Sequence, residues 1–286
     1  MKKRLAVLSF LLALISVNVF AQSDHGVISY ASFEGSANSL EEIYDLEASL
    51  GYRFNNHWAM EAGLPVYFIA NAPRTTQGSD TNGAGLGNLF ADVQLRIDNP
   101  TVNYKSVLTG YAPTGDTSKG LSTGRATFDW SNKFDRSFEK LTPFFIVGVG
   151  NTIPDTEFFK RPFTTLGFNT HFEGGATYNL AKHVDIGASG WDIAPGGQQK
   201  VFSRLVGRGA NGNPAAAAHG RVFNFANETV GGASIAADQG ISTWADFFPG
   251  NYLDFDLGYT RSFAFDLNTV SFGVEVNIGK LAHLRH

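Results

Sequence analysis

The charged side chains best able to do chemistry fall at every second position of segments whose alternate positions are apolar. The acids in this pattern are Glu47, Glu61, Asp92, Asp129, Glu173, Asp185, Asp254, Asp256 and Glu275, and the bases are Arg53, Arg96, Lys133 and Arg261. Side chains two residues apart on an extended strand share a face, so a sheet built from these segments gathers its charges on one surface. A surface of mixed sign suits either a conduction path for small solutes or a lumen plugged by ion pairs and hydrogen bonds. The excess of acids favours cations and neutral solutes over anions. In Pro113-Thr114-Gly115-Asp116, Thr114 and Asp116 are candidates to capture a solute at the mouth of such a path. The same residues also read as a Pro-Gly turn that ends a strand.

Catalysis demands more than charge. A membrane-embedded hydrolase needs a histidine, a serine and an orienting polar group within hydrogen-bond reach. His171 is the mid-strand histidine, on the same face as Asn169 and Glu173, and no serine is obviously paired with it. His283 and His286 are three apart in a charged tail, a weak spacing for a metal. No cofactor, metal or enzymatic step is assigned. The formal charge of -4 becomes -7 when Lys2, Lys3 and Arg4 are removed with residues 1–21, which leaves no footprint for a nucleic acid. With no cysteine there is neither a disulfide framework nor a lipid-anchored thiol.

The elements that must position these residues are strands. Residues 1–21 read as a secretory signal peptide: the cations Lys2, Lys3 and Arg4, an apolar run from Leu5 to Ile15, and Val19-Phe20-Ala21 before Gln22. The remainder, 22–286, reads as one domain. Beyond the signal no apolar run approaches the roughly 20 residues that a spanning helix needs. Alternation instead recurs throughout, as in Trp58, Met60, Ala62, Leu64, Val66 and Phe68 against Glu61, Gly63, Pro65 and Tyr67. It predicts strands over 26–37, 41–54, 57–69, 85–98, 101–113, 124–135, 141–151, 167–180, 183–194, 238–248, 251–263 and 269–279. Their connections differ by parity. Those at 55–56, 99–100, 136–140, 181–182 and 249–250 are short, whereas in the opposite set 70–84, 114–123, 152–166 and 195–237 are long and polar and only two, near 38–40 and 264–268, stay short. A sandwich has no reason to put every long loop at one end. A transmembrane up-and-down β-barrel of about twelve antiparallel strands does, with short periplasmic turns and long extracellular loops. Segment 195–237 is read as a loop, with Gln198 to Val206 able to extend its strand beyond the membrane. Aromatics such as Trp58, Tyr52, Trp130, Phe134, Tyr178, Trp191, Trp244 and Tyr259 are expected to anchor the barrel at the lipid interface. Tyr67 and Tyr111 are expected inside.

The last strand, through Ser271, Gly273, Val276 and Ile278, resembles the β-signal recognised by the barrel-assembly machinery, although its hydrophobics are not aromatic and Lys280 to His286 follow it. Expected partners are therefore that machinery, outer-membrane lipids and a small solute. Gly85-Leu-Gly-Asn88, followed by an alternating strand and Tyr111-Ala-Pro-Thr-Gly-Asp116, resembles outer-membrane proteins associated with meta-cleavage pathways of phenol degradation. That family has a Gly-Leu-Gly-Asp strand start, where Asn88 here replaces the aspartate, and a Pro-Thr-Gly-Asp loop start. The resemblance implies an outer-membrane channel for passive passage of small, aromatic or hydrophobic solutes. The alternatives are a non-conducting structural or adhesion barrel that binds a partner through its loops, and a hydrolase.

Overall fold

A computed structural model describes residues 26–37, 42–70, 83–117, 120–153, 156, 164–202, 229–250 and 252–278. Strand β1 (Gly26–Ala37) is followed by β2 (Glu42–Arg53), β3 (Trp58–Ala70), β4 (Gly83–Leu86), β5 (Leu89–Ile97), β6 (Asn103–Ala112), β7 (Thr127–Asp135) and β8 (Leu141–Gly150). After β9 (Thr164–Leu166) come β10 (Asn169–Ala181), β11 (Val184–Pro195), β12 (Gln198–Phe202), β13 (Thr229–Gly232), β14 (Asp238–Gly250), β15 (Leu253–Ser262) and β16 (Leu267–Asn277). All pairings are antiparallel, and β1 pairs with β16 from Ile28↔Asn277 to Ala37↔Asn268, which closes the sheet into a barrel. Since β4 and β5 both pair with β3 as halves of one interrupted strand, the barrel has 12 staves. The predicted strands match these staves closely. Segment 195–237 departs from a plain loop: its β12 and β13 form a separate three-stranded sheet with β9. Residues 1–21, read as a signal peptide, and the charged residues Asp155, Glu157, Lys160 and Arg161 of the long connection 152–166 lie outside the described residues.

Closure gives every stave a paired neighbour on each side, the condition for strands to cross lipid. The outer face is correspondingly apolar. Leu50, Met60, Val93, Leu108, Phe145, Ile241, Leu257 and Phe272 are all exposed on it, an area that a water-soluble surface does not tolerate. Near the rim of short turns the outer face becomes aromatic, with Tyr52 against Phe54 (centroids 5.0 Å apart) and Tyr104 against Phe134 (5.2 Å), as an interfacial girdle requires. The barrel belongs in the outer membrane, with this rim periplasmic. Among the described residues no helix is long and apolar enough to cross a membrane.

The inner face is packed by a repeated device. Large inward side chains lie flat across a glycine of the neighbouring stave: Phe90 over Gly63, Tyr67 over Gly87, His171 over Gly148, Trp244 over Gly187 and Trp191 over Gly240. A β-carbon at any of these glycines would strike the ring. Trp191 and Trp244 are therefore buried inside, at 4% and 5% exposure. This corrects their expected place at the lipid interface: both sit at the inward parity of their strands, with Ser189 and Ser242, and a facing glycine makes room for each ring.

Candidate functional site: the barrel lumen

Strand parity decides which charges face the lumen. On β2, Asp45, Glu47 and Ser49 are buried while Leu50 and Tyr52 are exposed, so Arg53 follows the inward set. Glu61, Asp92, Arg96, Asp129, Lys133, Glu173, Asp185, Asp254, Asp256 and Glu275 share the inward face of their strands. Arg261 does not. It is an odd position on a strand whose even positions, Gly258, Thr260 and Ser262, are buried, and it lies with Leu257 and Tyr259 on the outer face, ion-paired to Asp266. Counting in twos from Asp256 reaches Thr260 and Ser262 and excludes it. The same counting adds residues that the sequence reading passed over: Glu34, Asp45, Lys105, Asp135, Asp238 and Asp246.

In the middle of the barrel, several acids are held by neutral donors. Ser49 donates to Glu61, Ser189 Oγ to Glu173 Oε1 at 2.6 Å, and Gln94 Nε2 to Asp92 Oδ1 at 3.0 Å. Nearer the periplasm, Asn179 Nδ2 donates to Asp185 Oδ1 at 2.8 Å and Asn103 Nδ2 to Asp135 Oδ2 at 2.9 Å. Serine and amide donors hold a carboxylate in place without bringing a counter-charge beside it. His171 reaches across Gly148 so that its Nε2 lies 3.1 Å from Asp129 Oδ1, both side chains 8% exposed. Among the described residues no serine hydroxyl bonds this histidine.

The charges sort by position toward the periplasmic rim. Arg96, Lys105 and Lys133 are direct cross-strand partners on β5, β6 and β7. Asp185, Asp246 and Asp256 form a matching rung on β11, β14 and β15, and Asp254 opposite Glu275 lies below it. Arg96 is paired with Asp98 at 2.8 Å, on a side chain still 62% exposed.

The extracellular part is different. Inward Ile43, Tyr67, Trp191, Ile193 and Leu267 meet Leu121, Ile153, Val201 and Phe265 from the connections, in one buried apolar cluster. Val201 has 0% exposure and Leu267 1%. Gln199, also fully buried, fixes this cap by donating from Nε2 to the carbonyls of Phe168 (2.9 Å) and Gly196 (2.7 Å).

Thr114 and Asp116 belong to a staple. Thr114 Oγ1 accepts from the Leu89 N–H (2.7 Å) and donates to the Gly87 carbonyl (3.3 Å). The Gly115 N–H donates to Asn88 Oδ1 (3.3 Å) and the Asp116 N–H to the Leu86 carbonyl (3.2 Å). The Gly85–Asn88 and Pro113–Asp116 motifs are thus two halves of one joint, which bridges the break between β4 and β5. Asn88 accepts with the same Oδ1 that an aspartate would offer.

No family model matches the sequence, and no curated protein does. The architecture does have solved counterparts. An outer-membrane channel from Pseudomonas putida F1 superposes with a TM-score of 0.58 at 10% identity, covering 91% of this chain and 99% of that one. The NanC porin gives 0.51 at 9% identity, covering 87% and 100%. The fold is that of outer-membrane channels. Both counterparts are covered over nearly their whole length.

Proposed function

We propose that this protein is an outer-membrane channel for the passive passage of small solutes whose bodies are aromatic or otherwise apolar. The observation that carries the reading is the division of the lumen: a charged section open toward the periplasm meets an apolar constriction at the extracellular end. A constriction of Ile43, Tyr67, Trp191, Ile193 and Leu267 slows water and hydrated ions by partial dewetting, so that ion current is small, while an apolar solute loses little on entering it. The interlocked Gly85–Asn88 and Pro113–Asp116 joint supports kinship with the phenol meta-pathway group, in which both motifs recur. The charged residues of the lower lumen, Glu61 and Asp92 among them, then line the route, with Asp116 at its mouth, and no chemical step is needed.

The test is single-channel current across planar bilayers holding refolded mature protein, together with swelling of proteoliposomes in small aromatic solutes and in sugars of equal size. The reading expects faster entry of the aromatic solute, and cation preference that falls in Glu61→Gln and Asp92→Asn. Well-folded, heat-modifiable barrels that pass neither ions nor solutes would overturn it. That outcome would favour a structural or adhesion barrel, the reading that the buried apolar cluster at the extracellular end also suits.

A further inference from the structure

Two buried amide oxygens in the extracellular cap have no hydrogen-bond donor among the described residues: Asn169 Oδ1 and Gln199 Oε1, on side chains of 0% exposure. Their orientation is fixed by the amide nitrogens. Gln199 Nε2 uses both of its hydrogens on the carbonyls of Phe168 (2.9 Å) and Gly196 (2.7 Å), and Asn169 Nδ2 donates to the Gly167 carbonyl (2.7 Å). Turning either amide over would set oxygen against carbonyl oxygen, so each acceptor must point away from these partners. Both side chains hang on one turn, and an added β-carbon at Gly167 would strike Gln199 Oε1. Asn169 stands on the inward face of β10 with His171 and Glu173, paired with Gly150 and Pro195, one inward rung above the pair His171↔Ile193. Gln199 shares the buried face of β12 with Val201, which packs in one cluster with Ile193 and Trp191. The two oxygens therefore belong to the apolar constriction itself.

We propose that Asn169 and Gln199 form a recognition site for apolar solutes that carry a hydroxyl group, accepting its hydrogen as the apolar body passes the constriction. The proposal rests on the channel reading, which brings the solute to the cap, and names the solute class that the cap favours. A hydroxyl entering an apolar passage gives up its hydrogen bond to water, which an unbroken hydrocarbon wall does not replace. Amide oxygens that no protein donor reaches replace it without any protein bond having to break. An ether of similar shape has no hydrogen to give and gains nothing from either oxygen. An ammonium group has three hydrogens and a full charge, and two neutral oxygens are too few to stand in for its hydration shell.

The experiment is binding to refolded mature protein in detergent micelles, with benzyl alcohol as the probe and benzyl methyl ether as the control without a donor. The readout is the saturable change in tryptophan emission, for which Trp191 in the same cluster is the reporter. Wild type is expected to bind the alcohol at least about fivefold more tightly than the ether, the worth of one neutral hydrogen bond. That ratio should fall at least about twofold in Asn169→Leu and in Gln199→Met, each of which deletes one oxygen. Asn169→Leu carries the expectation alone should Gln199→Met, which also loses both Nε2 bonds, fail to fold. Heat-modifiable migration verifies folding. Damage to packing alone would weaken both compounds alike and leave the ratio where it was. No saturable binding of either compound, a wild-type ratio near one, as when a water molecule already supplies the donor, or a ratio unchanged in the folded variants would overturn the inference and leave the channel standing. The expected ratios in barrels that admit no aromatic solute to vesicles would overturn the channel reading instead and keep the site.

Discussion

Replacing Lys105 by glutamine should make the barrel more stable. Lys105 is the middle member of the cationic rung, with Arg96 and Lys133 as its direct cross-strand partners. Cross-strand side chains start about 5 Å apart at the β-carbon and splay toward their tips. Two unit charges about 6 Å apart in water repel by roughly 0.7 kcal/mol, so the two neighbours cost Lys105 at most about 1.4 kcal/mol, less the part that Asp98 cancels at Arg96. Attraction to Asp92 and Glu275, which feel its charge from farther away, returns part of this. The net expectation for Lys105→Gln is a gain of about 0.5–1 kcal/mol at low ionic strength. The assay is reversible urea unfolding into and out of lipid vesicles, followed by tryptophan fluorescence, at about 20 mM and 1 M salt. At 1 M the screening length is about 3 Å, and wild type and variant should converge. A loss of stability at low salt, or a gain that survives 1 M salt, would refute the claim that the rung is held against its own repulsion.

Gly115→Ala should destabilise the barrel by about 1–3 kcal/mol, because its β-carbon would lie 2.5 Å from the Leu121 carbonyl oxygen and 2.9 Å from the Gly87 carbonyl carbon; the urea midpoint reports it. His171→Ala and Asp129→Ala should couple in a double-mutant cycle by about 1 kcal/mol or more, since each leaves the other buried without its partner. Additive free energies would contradict that pairing. Val201→Ser with Leu267→Ser should raise unitary conductance in planar bilayers by admitting water to the apolar cap, and a conductance equal to wild type would place the resistance elsewhere.

Alternation and loop length made the barrel legible in the sequence, because a strand exposed to lipid on one face and to a lumen on the other has no freedom to break its period. Interior charges were legible to the extent that parity was followed through. It placed Glu61, Asp92 and Glu275 among the inward positions, and misplaced Arg261 where the count was not carried to the end of β15. Trp191 and Trp244 were misread because an aromatic near a strand end suits the lipid interface equally well. Only the pairing Gly240 with Trp191 and Gly187 with Trp244 reveals the space that lets each ring lie inside. The rungs were equally hidden. Whether Lys105 stands beside Arg96 or beside an acid depends on the register between strands, which no single segment encodes. The apolar cap needs Leu121, Ile153 and Val201 from three separate connections to converge, and nothing in their local sequences announces it.

The seam between β1 and β16 joins the first and last strands, sealed inside by Ser36 Oγ and Thr269 Oγ1, 2.7 Å apart and 233 positions apart in sequence. No earlier part of the chain can complete the ring, so every intermediate that lacks β16 offers lipid an open edge of unpaired amides. Maturation is therefore all or nothing, and the exposed edge of β1 is a docking strip for exogenous peptides while it waits. A short peptide copying Leu267–Asn277 is therefore expected to compete with β16 for that edge and to slow closure of the barrel.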